Sequence, residues 1–211
     1  MGRTHGPYRL VAFDFDGTLA NSFPLVLDLL DVVALEYGFM PIEHDDLERL
    51  RGMEPRALMR HLGVPMWKAP QIMARMHRLM AERIHEVRLF EGVAEALHAL
   101  HARGVALAIV TSNAPDNVRS VLGDPLWSLF AHAECGSSLF GKHRRLRGLL
   151  RRAGVEPTDA IYVGDELRDV EAARAVRLPF AAVAWGYADT RTLEAASPEH
   201  LLREPAEIAT L

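Results

Sequence analysis

A nearly unbroken apolar run, Leu10-Val11-Ala12-Phe13-Asp14-Phe15, ends in carboxylates and then Gly17. A strand without polar alternation has to be buried on both faces, with its polar residues gathered at its carboxyl end. Three later segments, 105–111, 160–164 and 180–185, repeat the theme and are separated from one another by helical pattern. Alternating strand and helix implies a parallel sheet covered on both sides. The expected fold is therefore α/β, a three-layer doubly wound parallel sheet whose ligands bind beyond the carboxyl ends of its strands.

Between Asn21 and Arg88 the character changes. No convincing strand appears, and Ile72, Met73, Met76, Leu79, Met80 and Ile84 fall on one stripe of a helix of about four turns. Seven of the eight methionines lie between Met40 and Met80. This stretch reads as an inserted helical domain, residues 20–88, within a core made of 1–19 and 89–211. With 211 residues, a core and one insertion is the natural division.

Composition excludes much else. A formal charge of −4 offers no overall attraction to nucleic acid or an anionic membrane. The apolar runs are far shorter than the roughly 20 residues a membrane span needs. The single cysteine, Cys135, cannot close a disulfide within the chain, which fits a reducing cytoplasm.

Four clusters could carry chemistry. Asp14 and Asp16, with Gly17 and Thr18, end the first strand; paired carboxylates there call for a proton or a hard cation such as Mg²⁺, unless both merely brace a turn. Thr111, Ser112 and Asn113 offer neutral donors before a helix opened by Pro115, suited to an oxyanion or to simple capping. Lys142 ends Gly136-x-x-x-x-Gly141-Lys142, a near match to a nucleotide loop that fails because His143 stands where a metal-binding hydroxyl belongs. The arginines that follow, from Arg144 to Arg152, read as a solvated helix face. Asp165 and Asp169 follow the strand 160–164; Asp165 can complete a cation site begun by Asp14, and Asp169 can hydrogen-bond a ligand or lysine or favour the helix dipole. Glu166 and Arg168 are expected to be exposed.

In this order and spacing, Asp14-Phe15-Asp16-Gly17-Thr18, Thr111, Lys142 and Gly164-Asp165-x-x-x-Asp169 resemble the haloacid dehalogenase-like hydrolases, in particular the phosphoglycolate phosphatase-like members with a helical cap after the first strand. The resemblance implies a magnesium-dependent phosphatase working through an aspartyl-phosphate. Asp14 then resembles the nucleophile and Asp16 the acid and base, its carbonyl also touching the metal. Thr111 resembles the phosphoryl-binding hydroxyl, Lys142 the balancing cation, Asp165 the second acidic metal ligand and Asp169 the residue orienting the site. Gly17, Thr18, Ser112, Asn113 and Arg51 would contact substrate, Arg51 from the cap, which would hinge near 19–21 and 87–91. Many relatives carry proline after the lysine; His143 here implies slower turnover with the same mechanism.

The substrate implied is a small phosphorylated metabolite, handled by a cytoplasmic monomer or homodimer. A phosphomutase and a catalytically silent phosphate-binding relative share the scaffold. A phospho-receiver domain does not fit, because it needs an adjacent acidic pair after the first strand, a phosphorylated aspartate in mid-sequence, and no cap.

Overall fold

The computed structural model describes residues 8–40, 59–136 and 141–211. Its strands are β1 (Leu10–Phe13), β2 (Ala20–Asn21), β3 (Arg88–Leu89), β4 (Ala106–Val110), β5 (Phe130–Glu134), β6 (Ala160–Gly164), β7 (Phe180–Val183) and β8 (His200–Leu202). The helices of four residues or more that lie wholly within the described residues are α1 (Phe23–Tyr37), α2 (Ala69–Glu82), α3 (Val93–Ala102), α4 (Pro115–Trp127), α5 (Lys142–Ala153), α6 (Leu167–Arg174) and α7 (Thr190–Ala195), with a 3₁₀ segment at Pro205–Thr210.

Six strands form one parallel sheet in the order β5-β4-β1-β6-β7-β8. Side chains alternate across it as a pleated strand requires. Val11 and Phe13 pack with Leu97 and Leu100 of α3 and Val118 of α4. Leu10 and Ala12 pack on the other face with Leu146 and Leu149 of α5, Val170 of α6 and Leu193 of α7. Two apolar layers sandwich the sheet, so β1, at its centre, is buried along its length. This is the three-layer α/β fold the sequence implies.

Register decides what meets at the sheet's carboxyl edge. Phe13 stands level with Ile109 of β4 and with Val163 of β6. Continuing each strand by two residues brings Phe15, Thr111 and Asp165 to the same height.

The short strands β2 and β3 pair antiparallel, Ala20 with Leu89 and Asn21 with Arg88. The chain thus leaves the sheet and returns to it side by side. Between these crossings, α1 and α2 pack together through Leu29, Val33, Ile72 and Leu79, with Arg75 bidentate on Glu36 at 2.8 and 2.9 Å. Ile84 falls outside α2, in a 3₁₀ turn at Ile84–Glu86. Among the described residues no helix is long and apolar enough to cross a membrane.

Besides β2 and β3, two strands of the main sheet go beyond the sequence reading. β5, Phe-Ala-His-Ala-Glu, carries a weak strand signal because an edge strand needs only one neighbour and little burial. β8 closes the opposite edge for the same reason.

Candidate active site

Asp14 extends the β1 ladder, its N–H donating to Val163 O at 2.8 Å, and is 2% exposed. Its Oδ1 accepts from the Phe15 N–H at 2.8 Å and its Oδ2 from Lys142 Nζ at 2.8 Å. Lys142 is the first residue of α5, entered from Gly141 at φ +105°. Its ammonium also donates to Asp169 Oδ1 at 2.5 Å and lies 5.6 Å from the centre of the Tyr162 ring. His143 therefore does not keep Lys142 from Asp14, and the Gly-rich loop's lysine serves carboxylates.

Asp165 sits in a socket. Its Oδ1 accepts from Thr18 Oγ1 at 2.9 Å and its Oδ2 from the Tyr187 N–H at 2.8 Å. Three glycines leave room around this acidic pair. A Cβ on Gly17, already at φ +77°, would come within 2.2 Å of Asp165 Oδ2, and one on Gly186 within 2.1 Å of Asp165 Cβ. A Cβ on Gly164 would meet Asp169 Oδ2 at 2.7 Å. Side chains at such contacts force a shift in well-packed surroundings. Asp169 and Glu166 form a reciprocal capping box at the start of α6, with the Glu166 N–H donating to Asp169 Oδ2 at 3.1 Å.

Oxygens of Asp14, Asp165 and Asp169 all lie within 4.8 Å of one another. With Asp16 and Glu166, five carboxylates face two cations, Lys142 and Arg168. Burial, with Lys142 working against it, raises the Asp14 carboxyl above its ordinary range. Burial and then the neighbouring Glu166, Asp169 and Asp14 charges raise Asp165 well above it. Burial opposes the Lys142 charge, yet Asp14 and Asp169 hold that ammonium protonated. Asp169 is spent on Lys142 and on backbone, whereas Asp14 and Asp165 keep oxygen lone pairs free. A hard divalent cation fits this donor set.

Asp16 differs from Asp14 in having neutral partners only. Ser22 Oγ donates to its Oδ1 at 2.8 Å, and Asn113 Nδ2 lies 3.0 and 3.2 Å from its two oxygens. Burial raises its pKa, with these hydrogen bonds pulling the other way. Thr111, 1% exposed, accepts from the Asn113 N–H at 3.1 Å, so its own hydroxyl hydrogen is free to donate. Ser112 is half-buried in the same turn.

Several side chains have different surroundings from those the sequence suggests. Thr18 and Asn113, candidates for substrate contact, hold Asp165 and Asp16. Glu166 and Arg168 are not exposed: they are partly buried, paired at 2.5 Å, and their charges reach Asp14, Asp165 and Asp169. The capping box draws Glu166 inward, and Arg168 follows its charge. Arg145, expected on a solvated face, donates to the carbonyls of Thr111 at 2.7 Å and Gly136 at 2.8 Å, tying the ends of β4 and β5 together. Arg51 lies outside the described residues.

Sequence reasoning passed over Ser22, Trp185, Gly186 and Tyr187. Trp185 Nε1 donates to Thr18 O at 3.0 Å, and the Tyr187 hydroxyl meets Ser22 Oγ at 2.6 Å. Trp185-Gly186-Tyr187 leaves the carboxyl end of β7, where ligand loops belong, and that position was the available signal.

A parallel sheet whose central strand ends converge on a buried lysine, a threonine and a carboxylate cluster defines an α/β protein with its site at the sheet's carboxyl edge. The chain belongs to the haloacid dehalogenase-like hydrolases, whose family model matches residues 11–183. It is similar to a phosphoglycolate phosphatase of Synechococcus elongatus, 38% identical over 94% of each chain. A phosphoglycolate phosphatase of Xylella fastidiosa is 32% identical over 85% of this chain and 81% of its own. A solved haloacid dehalogenase-like hydrolase of Streptococcus pneumoniae shares the fold at a TM-score of 0.82, with 19% identity over 96% of this chain and 97% of its own. The chain is a phosphatase of this family.

Proposed function

We propose that the protein is a Mg²⁺-dependent phosphomonoester hydrolase that acts on a small phosphorylated metabolite of the phosphoglycolate type, through an aspartyl-phosphate on Asp14. The observation that carries this reading is Lys142 Nζ bridging Asp14 and Asp169 beside Asp165, which leaves one carboxylate with a free face next to a cation site. Relatives with phosphoglycolate phosphatase activity in their names support the substrate class.

Uncatalysed hydrolysis of phosphate monoesters is so slow that rate enhancements approach about 10²¹, beyond any single device. Asp14 attacks phosphorus through a carboxylate oxygen while the bond from phosphorus to the ester oxygen breaks. Lys142 offsets the repulsion between that carboxylate and the phosphoryl oxygens, and Thr111 donates to one of them through transfer. Asp16, its pKa raised by burial, gives its proton to the departing oxygen. Water then attacks phosphorus, Asp16 takes the water's proton, and the bond to Asp14 breaks to release inorganic phosphate. Mg²⁺, held by Asp14, Asp165 and the Asp16 carbonyl, would supply charge neutralisation in both steps.

Residues 20–88 would form a cap over this edge, hinged on the β2–β3 crossing, and would select among substrates. On this reading the enzyme is a cytoplasmic monomer or homodimer that takes a small ligand. Inorganic phosphate release from a panel of phosphate esters, with Mg²⁺ and with chelator, tests the reading. Highest kcat/KM on phosphoglycolate and at least about 10³-fold loss in chelator are expected. Isomerised product without phosphate release would instead mark a mutase.

A further inference from the structure

We infer that Tyr187 is a positioning residue, whose hydroxyl sets, through Ser22, which oxygen of Asp16 carries the proton delivered to the leaving group. This rests on the reading of Asp16 as acid and extends it to two residues which that reading does not use.

Ser22 is the N-cap of α1 and fully buried, yet its side chain makes no capping bond. A serine at that position ordinarily accepts a hydrogen bond from the first helical turn. Here Pro24 removes one of the candidate donors, and the hydroxyl is turned onto Asp16 Oδ1 at 2.8 Å. A serine hydroxyl has one hydrogen, and this one is spent on Asp16. The 2.6 Å contact between Ser22 Oγ and the Tyr187 hydroxyl is then donated by Tyr187. The chain of donors runs one way, from Tyr187 to Ser22 to Asp16 Oδ1.

Direction has a chemical consequence. Asn113 Nδ2 lies within reach of both Asp16 oxygens, 3.0 Å from Oδ2 and 3.2 Å from Oδ1, so the Ser22 hydroxyl is the donor that tells them apart: an Oδ1 that accepts from Ser22 is the carbonyl-like oxygen of a protonated Asp16, and the acidic proton sits on Oδ2. Were the chain reversed, Oδ1 would donate to Ser22 and the proton would face the protein. A phenol is a stronger donor than an aliphatic hydroxyl, so Tyr187 biases the chain toward the productive direction. The residue is itself well fixed. Its N–H donates to Asp165 Oδ2 at 2.8 Å, its ring lies 5.1 Å from that of Phe23, and Gly186 before it admits Asp165 to close contact. One residue thus spans the metal-binding carboxylate and the acid.

The test uses leaving-group demand. An alkyl phosphate such as phosphoglycolate needs a proton on its departing oxygen, whereas p-nitrophenolate leaves without one. kcat/KM reports steps through phosphoryl transfer to Asp14, and so isolates the acid step from later hydrolysis. With Mg²⁺ present, Tyr187→Phe should lower the ratio of kcat/KM on phosphoglycolate to that on p-nitrophenyl phosphate by about tenfold. Ser22→Ala should lower it at least as far, and the double variant no further than Ser22→Ala alone. Asp16→Asn is the reference. If Asp16→Asn leaves the ratio unchanged, the assignment of Asp16 as acid fails, and this inference with it. If Asp16→Asn lowers the ratio but Tyr187→Phe and Ser22→Ala do not, or depress both substrates equally, Tyr187 has only a structural part and the inference is overturned.

Discussion

The ends of β1 and β6 carry the same cargo by different means. Each strand is apolar, central and buried, and each releases acids at the carboxyl edge of the sheet, two after β1 and three after β6. At β6 the acids rest on backbone donors as well as side chains: Asp165 on the Tyr187 N–H and Thr18, with glycines packed against it, Asp169 on the first turn of its own helix and Lys142. At β1 side chains do most of the holding, Lys142 on Asp14 beside the Phe15 N–H, and Ser22 and Asn113 on Asp16. A socket suits a metal ligand, which has to stay in place. Side-chain tethers suit a nucleophile and an acid, which exchange partners during turnover.

The largest effect should come from emptying the socket of its charge. Asp165→Asn is expected to lower kcat on the order of 10³-fold, more than the roughly 10- to 100-fold typical of an outer partner. In chelator the same variant should melt higher than the parent, because a buried carboxylate with a raised pKa costs stability when ionised. Calorimetry of both proteins checks this, and a lower melting temperature would mean that Asp165 is not under electrostatic stress.

Next come paired perturbations of the two strand ends. Gly186→Ala should push Asp165 aside and raise the Mg²⁺ concentration for half-maximal activity by roughly 10- to 100-fold. Asn113→Ala should lower kcat by about tenfold, with the Mg²⁺ requirement unchanged, since it loosens Asp16 alone. Metal titrations of the two variants separate these outcomes. Equal changes in Mg²⁺ dependence would erase the distinction between socket and tether.

The smallest effect is one of pH. Asp14 and Asp165 have raised pKa values in the folded protein, so the folded state holds their protons more tightly than the unfolded chain does. Stability without metal is therefore greatest on the acid side and falls as pH rises through the raised values. On the proposed function, Mg²⁺ bound by these carboxylates would offset that loss where they are ionised. The melting-temperature difference between Mg²⁺ and chelator should widen as pH rises from 5 to 7.5, by a few degrees, roughly 3–6 °C. A difference that shrinks as pH rises would contradict the sign.

Much of this arrangement was legible in the chain. The buried strand before Asp14 and the acids after Gly164 announce themselves by hydrophobicity breaking into charge, and Lys142 by its place between two glycines and a helix. Edge strands β5 and β8 carry no such contrast, because half their surface meets water. Ser22, Gly186 and Tyr187 escaped for another reason. Ser22 meets Tyr187 across 165 residues of sequence and Gly186 matters only through where the fold puts Asp165, while serine, glycine and tyrosine are ordinary at a helix start or in a loop. Arg145 and Arg168 looked like surface charge because nothing local reveals that carbonyls of Thr111 and Gly136, or the acids around Asp165, lie within their reach.

The central claim is a covalent bond between phosphorus and Asp14. Acid-quenching the enzyme during turnover of phosphoglycolate with Mg²⁺, reducing with borohydride and sequencing peptides by mass spectrometry tests it directly. Conversion of Asp14 to homoserine, dependent on substrate and absent from Asp14→Asn, is the result expected. Reduction at another carboxylate, or none at all while phosphate is released, would contradict it.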